Sequence, residues 1–213
     1  MQISLIHCLD VMLLIIILTP YARTFLMHNP FDKRNFGKNF SESFIFLAVC
    51  FFFLYPFFWI DQKKNFTFDT VFFLLAIITS ILCVSIDILI FKFKYGIVRI
   101  KKLNKDNKIL TVYLLLLLPI MEELLFRGFL FYILSLLGGS TPIFIILSSV
   151  SFGLCHFIYS PINIFTKILW GVGLSILFII TGSTVVYPII AHITSNCFIV
   201  IYDFLTTTKG VQK

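Results

Sequence analysis

Ionisable and amide side chains lie in three stretches of the sequence that are otherwise apolar. Each stretch holds two residues four positions apart, and the motifs are Glu122-Glu123-x-x-x-Arg127, Phe152-x-x-x-His156 and His192-x-x-x-Asn196. Residues at this spacing share one face of a helix. A carboxylate and a histidine can together polarise a water, and a histidine with an amide can stabilise the oxyanion on an attacked carbonyl. The three motifs together therefore predict a hydrolytic centre.

The two carboxylates of the first motif have different expected surroundings. Glu123 and Arg127 share a face and can form an ion pair, whereas Glu122 is rotated by about 100° and is free to face a cavity. Ionisable residues at membrane depth cost about 2.5–3.5 kcal/mol each and usually face a bundle interior or a wet cavity. The structural alternatives are a packing salt bridge in the first motif, a satisfied core histidine in the second and an interhelical hydrogen-bond clamp in the third.

Other hydrolase chemistries fit the sequence less well. It contains neither a His-Glu-x-x-His zinc motif nor a Gly-x-Ser-x-Gly nucleophile elbow. Cys155 directly precedes His156, so on a helix their side chains diverge and do not form a nucleophile–base pair. Glu122, His156 and His192 are three residues of the types that an open zinc site uses. Their long spacing in the sequence neither supports nor excludes such a site.

The composition is that of an integral membrane protein. Of the 213 residues, 59% are hydrophobic and 13% are charged, and the mean hydropathy is +1.02, whereas soluble chains are about 25% charged. An all-α polytopic bundle of about seven (six to eight) transmembrane helices is predicted, with little chain left for a soluble domain. The seven apolar runs are 3–19, 43–60, 70–91, 109–137, 142–160, 163–181 and 184–205.

The basic residues indicate an orientation. Most of the 17 lysine and arginine residues fall in loops 20–42 and 92–108, near a turn at Lys167, and in the tail. The positive-inside rule then places these parts in the cytoplasm and the N-terminus outside. The net charge of +7 is explained by this bias and by anionic lipid headgroups, so no nucleic-acid partner is expected. Richness in Ile, Phe, Lys and Asn indicates an AT-rich bacterial genome, so the expected location of this membrane protein is the bacterial cytoplasmic membrane.

The run 109–137 is too long for one straight transmembrane helix. At about 1.5 Å per residue it would reach about 43 Å, against about 30 Å for the hydrocarbon core. Pro119 lies within it and removes a backbone donor. The sequence therefore predicts a bent or broken helix, with the break just before Met121.

The three motifs, in this order and in apolar runs, resemble those of the CPBP family, the CAAX prenyl protease and bacteriocin-processing group, also called the Abi family. The run Glu-Glu-Leu-Leu-Phe-Arg-Gly-Phe that begins at Glu122 is typical of that family. The resemblance covers about residues 109–205 and implies a catalytic membrane core there. Residues 1–108 are then the variable N-terminal helices and basic loops, and residues 206–213 a short cytoplasmic tail.

What the resemblance implies is an intramembrane endopeptidase of the CAAX-protease type. The implied roles are water activation by Glu122 and His156, an oxyanion hole from His192 and Asn196, and positioning by Glu123, Arg127 and Phe152. No cofactor is expected, because the better-understood eukaryotic members resemble metal-free glutamate peptidases. Zinc held by Glu122, His156 and His192 is the alternative that the older metalloprotease label suggests.

The expected partners are membrane lipid and a peptide or protein substrate at the membrane. Bacterial relatives resemble processors of peptide pheromones or bacteriocin leaders, self-immunity proteins and membrane partners of sensor kinases. The alternative to an enzyme is a non-catalytic immunity or regulatory protein that uses the same polar cluster for binding. An ion-coupled transporter also uses intramembrane carboxylates, but inverted repeats are not visible in the sequence.

Overall fold

Helices make up nearly all of residues 68–96, 113–156 and 161–209, which are the residues that the computed structural model describes, and these ranges contain no β-strand. The all-α prediction is confirmed for them. The helices are α1 (Thr70–Tyr95), α2 (Tyr113–Leu117, Leu118–Glu123, Leu124–Phe129 and Leu130–Leu136 in succession), α3 (Thr141–Leu154), α4 (Pro161–Ile180) and α5 (Val186–Lys209). They correspond to the last five of the predicted runs.

Several sequence predictions fall outside the described residues. These are the runs 3–19 and 43–60, the loop 20–42, most of the loop 92–108 and the end of the tail. The count of seven helices and the domain boundaries therefore stay predictions.

Two of the described helices can cross a membrane by length and composition, namely Thr70–Lys94 and Pro161–Ile180. Helix α1 presents large apolar side chains on its outer face. These are Val71, Leu74, Ile78, Ile81, Leu82, Leu89 and Phe93. Such a face suits contact with lipid, in which the backbone hydrogen bonds of a helix are satisfied within the helix. Helix α3 has 14 residues and is about 21 Å long, which is shorter than the hydrocarbon core.

Helix α2 passes through Pro119 without the predicted break. It is helical from Tyr113 to Leu136, and an α-helical segment, Leu118–Glu123, lies between two π-helical turns. Pro119 is near the start of that segment, directly after the first π turn, where the irregular ladder tolerates the missing N–H. The prediction of a break before Met121 is wrong. The irregularity that the proline signalled takes the form of changed helical winding instead.

The second π turn of α2, Leu124–Phe129, is supported by a neighbouring helix. Ser148 of α3 donates a hydrogen bond to the Phe126 carbonyl oxygen at 3.0 Å, and Ser175 of α4 donates to the Ser148 hydroxyl at 3.1 Å. All three residues are buried. Buried backbone carbonyls need a partner, so these two serines satisfy the turn and join three helices beside the first motif.

Helices α3 and α4 approach each other closely because small residues line their contact. A Cβ atom built on Gly171 would lie 2.6 Å from the Ser149 Cα atom, and one built on Gly153 would lie 2.8 Å from the Ile164 carbonyl oxygen. Both distances are to backbone, which cannot move aside as the end of a side chain can. Small residues at helix contacts in membranes permit this separation. The second motif, at the end of α3, is therefore held close to α4.

We expect Gly171→Ala to destabilise the protein by about 1–3 kcal/mol, because the added methyl group overpacks the contact with Ser149. Thermal unfolding of the purified protein in lipid nanodiscs measures the effect. Gly173→Ala is the matched control, since a Cβ there would meet only Thr79 and Cys83 side-chain atoms at ordinary distances of 3.7 and 3.8 Å. Equal melting temperatures for the two variants would contradict the close approach of α3 and α4.

Candidate active site

Glu123 is the centre of a buried polar network that joins three helices. Its Oε1 atom accepts hydrogen bonds from Arg127 Nη1 at 2.9 Å and from His192 Nδ1 at 2.8 Å. Arg127 Nη2 donates in turn to the Gly171 carbonyl oxygen at 3.2 Å. The side chains of Glu123 and Arg127 are both fully buried. The predicted ion pair between these two residues is confirmed, and it also holds a histidine of α5 and the backbone of α4.

Glu122 meets the opposite side of the same histidine ring. Its Oε2 atom lies 3.6 Å from His192 Nε2, and both side chains are 5% exposed. A carboxylate only accepts hydrogen bonds, so His192 donates to Glu123 through Nδ1 and turns Nε2 toward Glu122. The two neighbouring carboxylates thus differ as the helix rotation predicts, since one is committed to Arg127 and the other is not. The imidazole between them is a feature that the rotation alone does not predict.

His156 lies just beyond the end of α3, in the turn that follows Leu154, and is 8% exposed. The predicted apolar run 142–160 continues past His156, whereas the helix ends at Leu154. The His156 Nδ1 atom lies 2.8 Å from the Phe152 carbonyl oxygen, and a carbonyl only accepts, so Nδ1 is the donor. Neutral His156 therefore carries its lone pair on Nε2, which is the arrangement a base requires.

Phe152 is the aromatic partner of both histidines. Its ring centroid is 5.0 Å from that of His156 and 5.6 Å from that of His192, both in edge-to-face geometry. The Arg127 guanidinium carbon lies 4.8 Å from the same centroid, within the range of a cation–π contact. Phe152 itself is fully buried. The second motif is thereby packed directly against the first and the third.

Asn196 follows His192 by one turn in the regular helix α5, so the two residues share a face, as predicted. Its side chain is half-buried and makes no hydrogen bond to any other residue in the described ranges. An amide in this state has both its donor and its acceptor groups available. The structure therefore brings the first six motif residues into one connected cluster and places Asn196 at its margin.

Three residues beside this cluster were not assigned to it from the sequence. Lys167 lies in the second turn of α4, and its Nζ atom is 3.2 Å from Asp87 Oδ2 of α1. The same Nζ lies 3.1 Å from the centroid of the Trp170 ring. The signal that could have found them is Asp87 itself, a carboxylate inside an apolar run. Intramembrane carboxylates require a partner.

A zinc site at Glu122, His156 and His192 requires that these side chains meet around one point. Within residues 68–96, 113–156 and 161–209, no group of three or more His, Cys, Asp or Glu side chains is arranged to hold a metal ion. The His192 Nδ1 atom is already bonded to Glu123. Glu122, His156 and His192 therefore do not form a zinc site in this geometry, and whether activity needs a metal stays a prediction for experiment.

Comparison with known proteins gives one match. Residues 105–198 match the family model described as type II CAAX prenyl endopeptidase, Rce1-like. This range contains all three motifs, and the match confirms the resemblance drawn from them. Searches of curated proteins and of solved structures returned no match for the chain. The family and the apolar helices together support an integral membrane protein of the protease class.

Proposed function

We propose that this chain, whose residues 105–198 match the Rce1-like type II CAAX prenyl endopeptidase family model, is an intramembrane endopeptidase. It cleaves a membrane-associated peptide or protein with water activated by Glu122 and His156. The observation that carries the proposal is the contact of Glu122 with His192, since Glu123 and Arg127 fix the orientation of that imidazole from its other side. A packing role alone does not require two carboxylates on one ring.

The proposed reaction is hydrolysis of a peptide bond. Glu122 takes a proton from a water that His156 Nε2 also contacts, and the water oxygen attacks the carbonyl carbon. His192, protonated on both nitrogens, donates to the oxyanion through Nε2, with the amide of Asn196 as the second donor. When the carbon–nitrogen bond breaks, Glu122 returns the proton to the leaving nitrogen. The products are a new carboxyl terminus and a new amino terminus.

The remaining motif residues act on the orientation of these groups. Glu123 fixes the His192 ring through Nδ1, and Arg127 fixes Glu123. Phe152 fills the space between the two imidazole rings. Groups whose orientation is fixed before the reaction stabilise the transition state more than mobile groups do, because they need no reorganisation when charge develops.

The proposed substrates are peptides handled at a bacterial membrane. They include peptide pheromones and bacteriocin leaders. A role in self-immunity would depend on the same cleavage reaction. The proposed location is the cytoplasmic membrane, with the N-terminus outside and the basic loops and C-terminus in the cytoplasm. The bias of lysine and arginine residues in the sequence supports this orientation.

The experiment that tests the function compares wild-type protein with Glu122→Gln in the native host. Mass spectrometry of membrane-associated and secreted peptides is combined with blotting that confirms equal protein levels. We expect one peptide to disappear in the variant while its longer precursor accumulates, because glutamine keeps the shape of Glu122 but cannot accept the proton. Unchanged peptides with a retained phenotype would favour the non-catalytic immunity or regulatory binding protein.

We further expect the cleavage to be independent of metal, because the proposed steps use only protein side chains. Activity of the purified protein, measured after dialysis against EDTA and against 1,10-phenanthroline, should remain close to that of the untreated sample. A zinc peptidase treated in parallel serves as the control and should be inactivated. Loss of activity that added zinc restores would favour the zinc site at Glu122, His156 and His192 instead.

A further inference from the structure

An ion pair lies inside the helix bundle beside the proposed active site. Lys167 Nζ of α4 and Asp87 Oδ2 of α1 are 3.2 Å apart, and their side chains are only 16% and 10% exposed. The other carboxylate oxygen of Asp87 is buried and has no hydrogen-bond partner among the residues that the structure describes. Two charges removed from water lose much of their solvation, and their attraction compensates for this only when the geometry is good. A pair at this depth is therefore poorly explained by stability alone.

The ammonium group of Lys167 also rests on an aromatic ring that touches the site. It lies 3.1 Å from the Trp170 ring centroid, and Trp170 is fully buried. The indole N–H donates to the Cys83 carbonyl oxygen of α1 at 2.8 Å. The ring centroid of Trp170 is 5.9 Å from that of His192, in edge-to-face geometry. A chain of contacts thus runs from Asp87 through Lys167 and Trp170 to His192.

His192 is fixed along one axis by its hydrogen bond to Glu123. A single hydrogen bond still allows an imidazole ring to change its orientation around the bonded nitrogen. Side chains packed against the face or edge of the ring prevent that movement. Trp170 and Phe152 both lie edge-to-face with the ring. The position of Trp170 depends in turn on the cation above it and on the Cys83 carbonyl. The direction of His192 Nε2 therefore depends on Lys167.

We propose that Lys167 is a positioning residue of the active site. Asp87 holds the Lys167 ammonium group in place, and Lys167 in turn holds Trp170 against the His192 ring. This inference rests on the peptidase function proposed above. Lys167 touches neither the substrate carbonyl nor the water in this scheme. Its positive charge also lies beside the cluster, 3.1 Å from the centroid of the Trp170 ring, which is 5.9 Å from that of His192. A positive charge in a site of low dielectric constant favours the negative charge that develops during attack.

The first test uses turnover. Lys167→Met keeps the length of the aliphatic stem and removes the charge, so we expect kcat for a quenched fluorescent peptide with a farnesylated CAAX-type C-terminus to fall about tenfold, with KM little changed. Lys167→Arg keeps a cation that stacks on indole and should restore most of the loss. Lys92→Met, at an exposed position near the end of α1, is the matched control. A Lys167→Met variant with wild-type kcat would overturn the proposal.

The second test does not depend on cleavage. Protein labelled with ¹⁵N-histidine is reconstituted in lipid nanodiscs, and the His192 ring signals are assigned by their loss in His192→Gln. We expect Lys167→Met to shift these signals and Lys167→Arg and Lys92→Met to leave them close to wild type. Unshifted His192 signals in Lys167→Met would refute this role of Lys167. Should wild-type protein fail to cleave the farnesylated peptide while these shifts appear, the chain does not act on CAAX-type substrates and the contact of Trp170 with His192 still depends on Lys167.

Asp87→Asn tests the same proposal if Lys167→Met does not fold. It keeps the shape of Asp87 and an oxygen that accepts from Lys167, but it removes the charge that holds the ammonium in place. We expect shifts of the His192 signals in the same direction as for Lys167→Met and smaller in size. If Asp87→Asn folds with wild-type His192 signals and wild-type kcat, the ion pair does not act on the site.

Discussion

Glu122→Gln and His156→Gln are each expected to lower the turnover of a cleaved peptide by about 10²–10⁴, the usual contribution of a positioned acid–base group. Both side chains are nearly fully buried, and glutamine conserves most of their volume. The double variant should be no more than slightly slower than the slower single variant. Groups that act as one unit on the same water are strongly non-additive when they are removed. Single-turnover kinetics of the purified protein in nanodiscs measures all three.

The control for this cycle is Ser135→Ala at the exposed end of α2, where the hydroxyl donates to the Phe131 carbonyl oxygen within its own helix. It should retain wild-type turnover and reports on general effects of substitution in this helix. Multiplicative losses for Glu122→Gln and His156→Gln would contradict a shared water and would assign the two residues to separate steps. Full activity in either single variant would remove that residue from the catalytic assignment.

Arg127→Met is expected to destabilise the protein by about 3–5 kcal/mol, the cost of breaking a buried ion pair by removing one partner. Glu123 is fully buried, and without Arg127 its carboxylate keeps only the bond from His192. The Gly171 carbonyl oxygen also loses its donor. Thermal unfolding in nanodiscs measures the change, and Lys92→Met at an exposed position should leave the unfolding temperature unchanged.

The double variant Glu123→Gln/Arg127→Met decides whether the loss arises from an uncompensated charge. Replacing both members of a buried pair is often nearly neutral, so the double variant should recover a large part of the stability that Arg127→Met loses. It should remain inactive, because the neutral amide no longer fixes the His192 ring as the carboxylate does. A double variant less stable than Arg127→Met would mean that packing of the arginine stem, not charge, determines the effect.

The local relations in the site could be predicted from the sequence because helix geometry fixes them. Glu123 and Arg127 are four residues apart in a helical segment, and they pair at 2.9 Å. Phe152 and His156 have the same spacing and their rings are in contact, although His156 lies past the end of the helix. The rotation that separates Glu122 from Glu123 also follows from the number of residues per turn. Such relations need no knowledge of neighbouring helices.

Sequence reasoning was wrong or incomplete where a contact with a neighbouring helix decides the structure of a segment or the partner of a side chain. Pro119 predicted a bent or broken helix with a break before Met121, but the helix continues without a break through two π turns, and the second is supported by the hydroxyl of Ser148 from α3. The distribution of basic residues placed Lys167 near a turn but did not predict that it pairs with Asp87 of α1. In both cases the deciding partner is distant in the sequence. No periodicity or spacing rule contains that partner.

The sequence by itself indicated the membrane character, the helical class, the three motifs and, through them, the resemblance to the family whose model residues 105–198 match. Only the tertiary structure decided that one imidazole, His192, stands between Glu122 and Glu123, and that Trp170 and Lys167 stand behind it. The physical reason is that the two kinds of feature depend on different parts of the chain. Hydropathy and residue spacing are properties of a single segment, whereas the facing of helices depends on which small residues, such as Gly171 against Ser149, allow two backbones to meet.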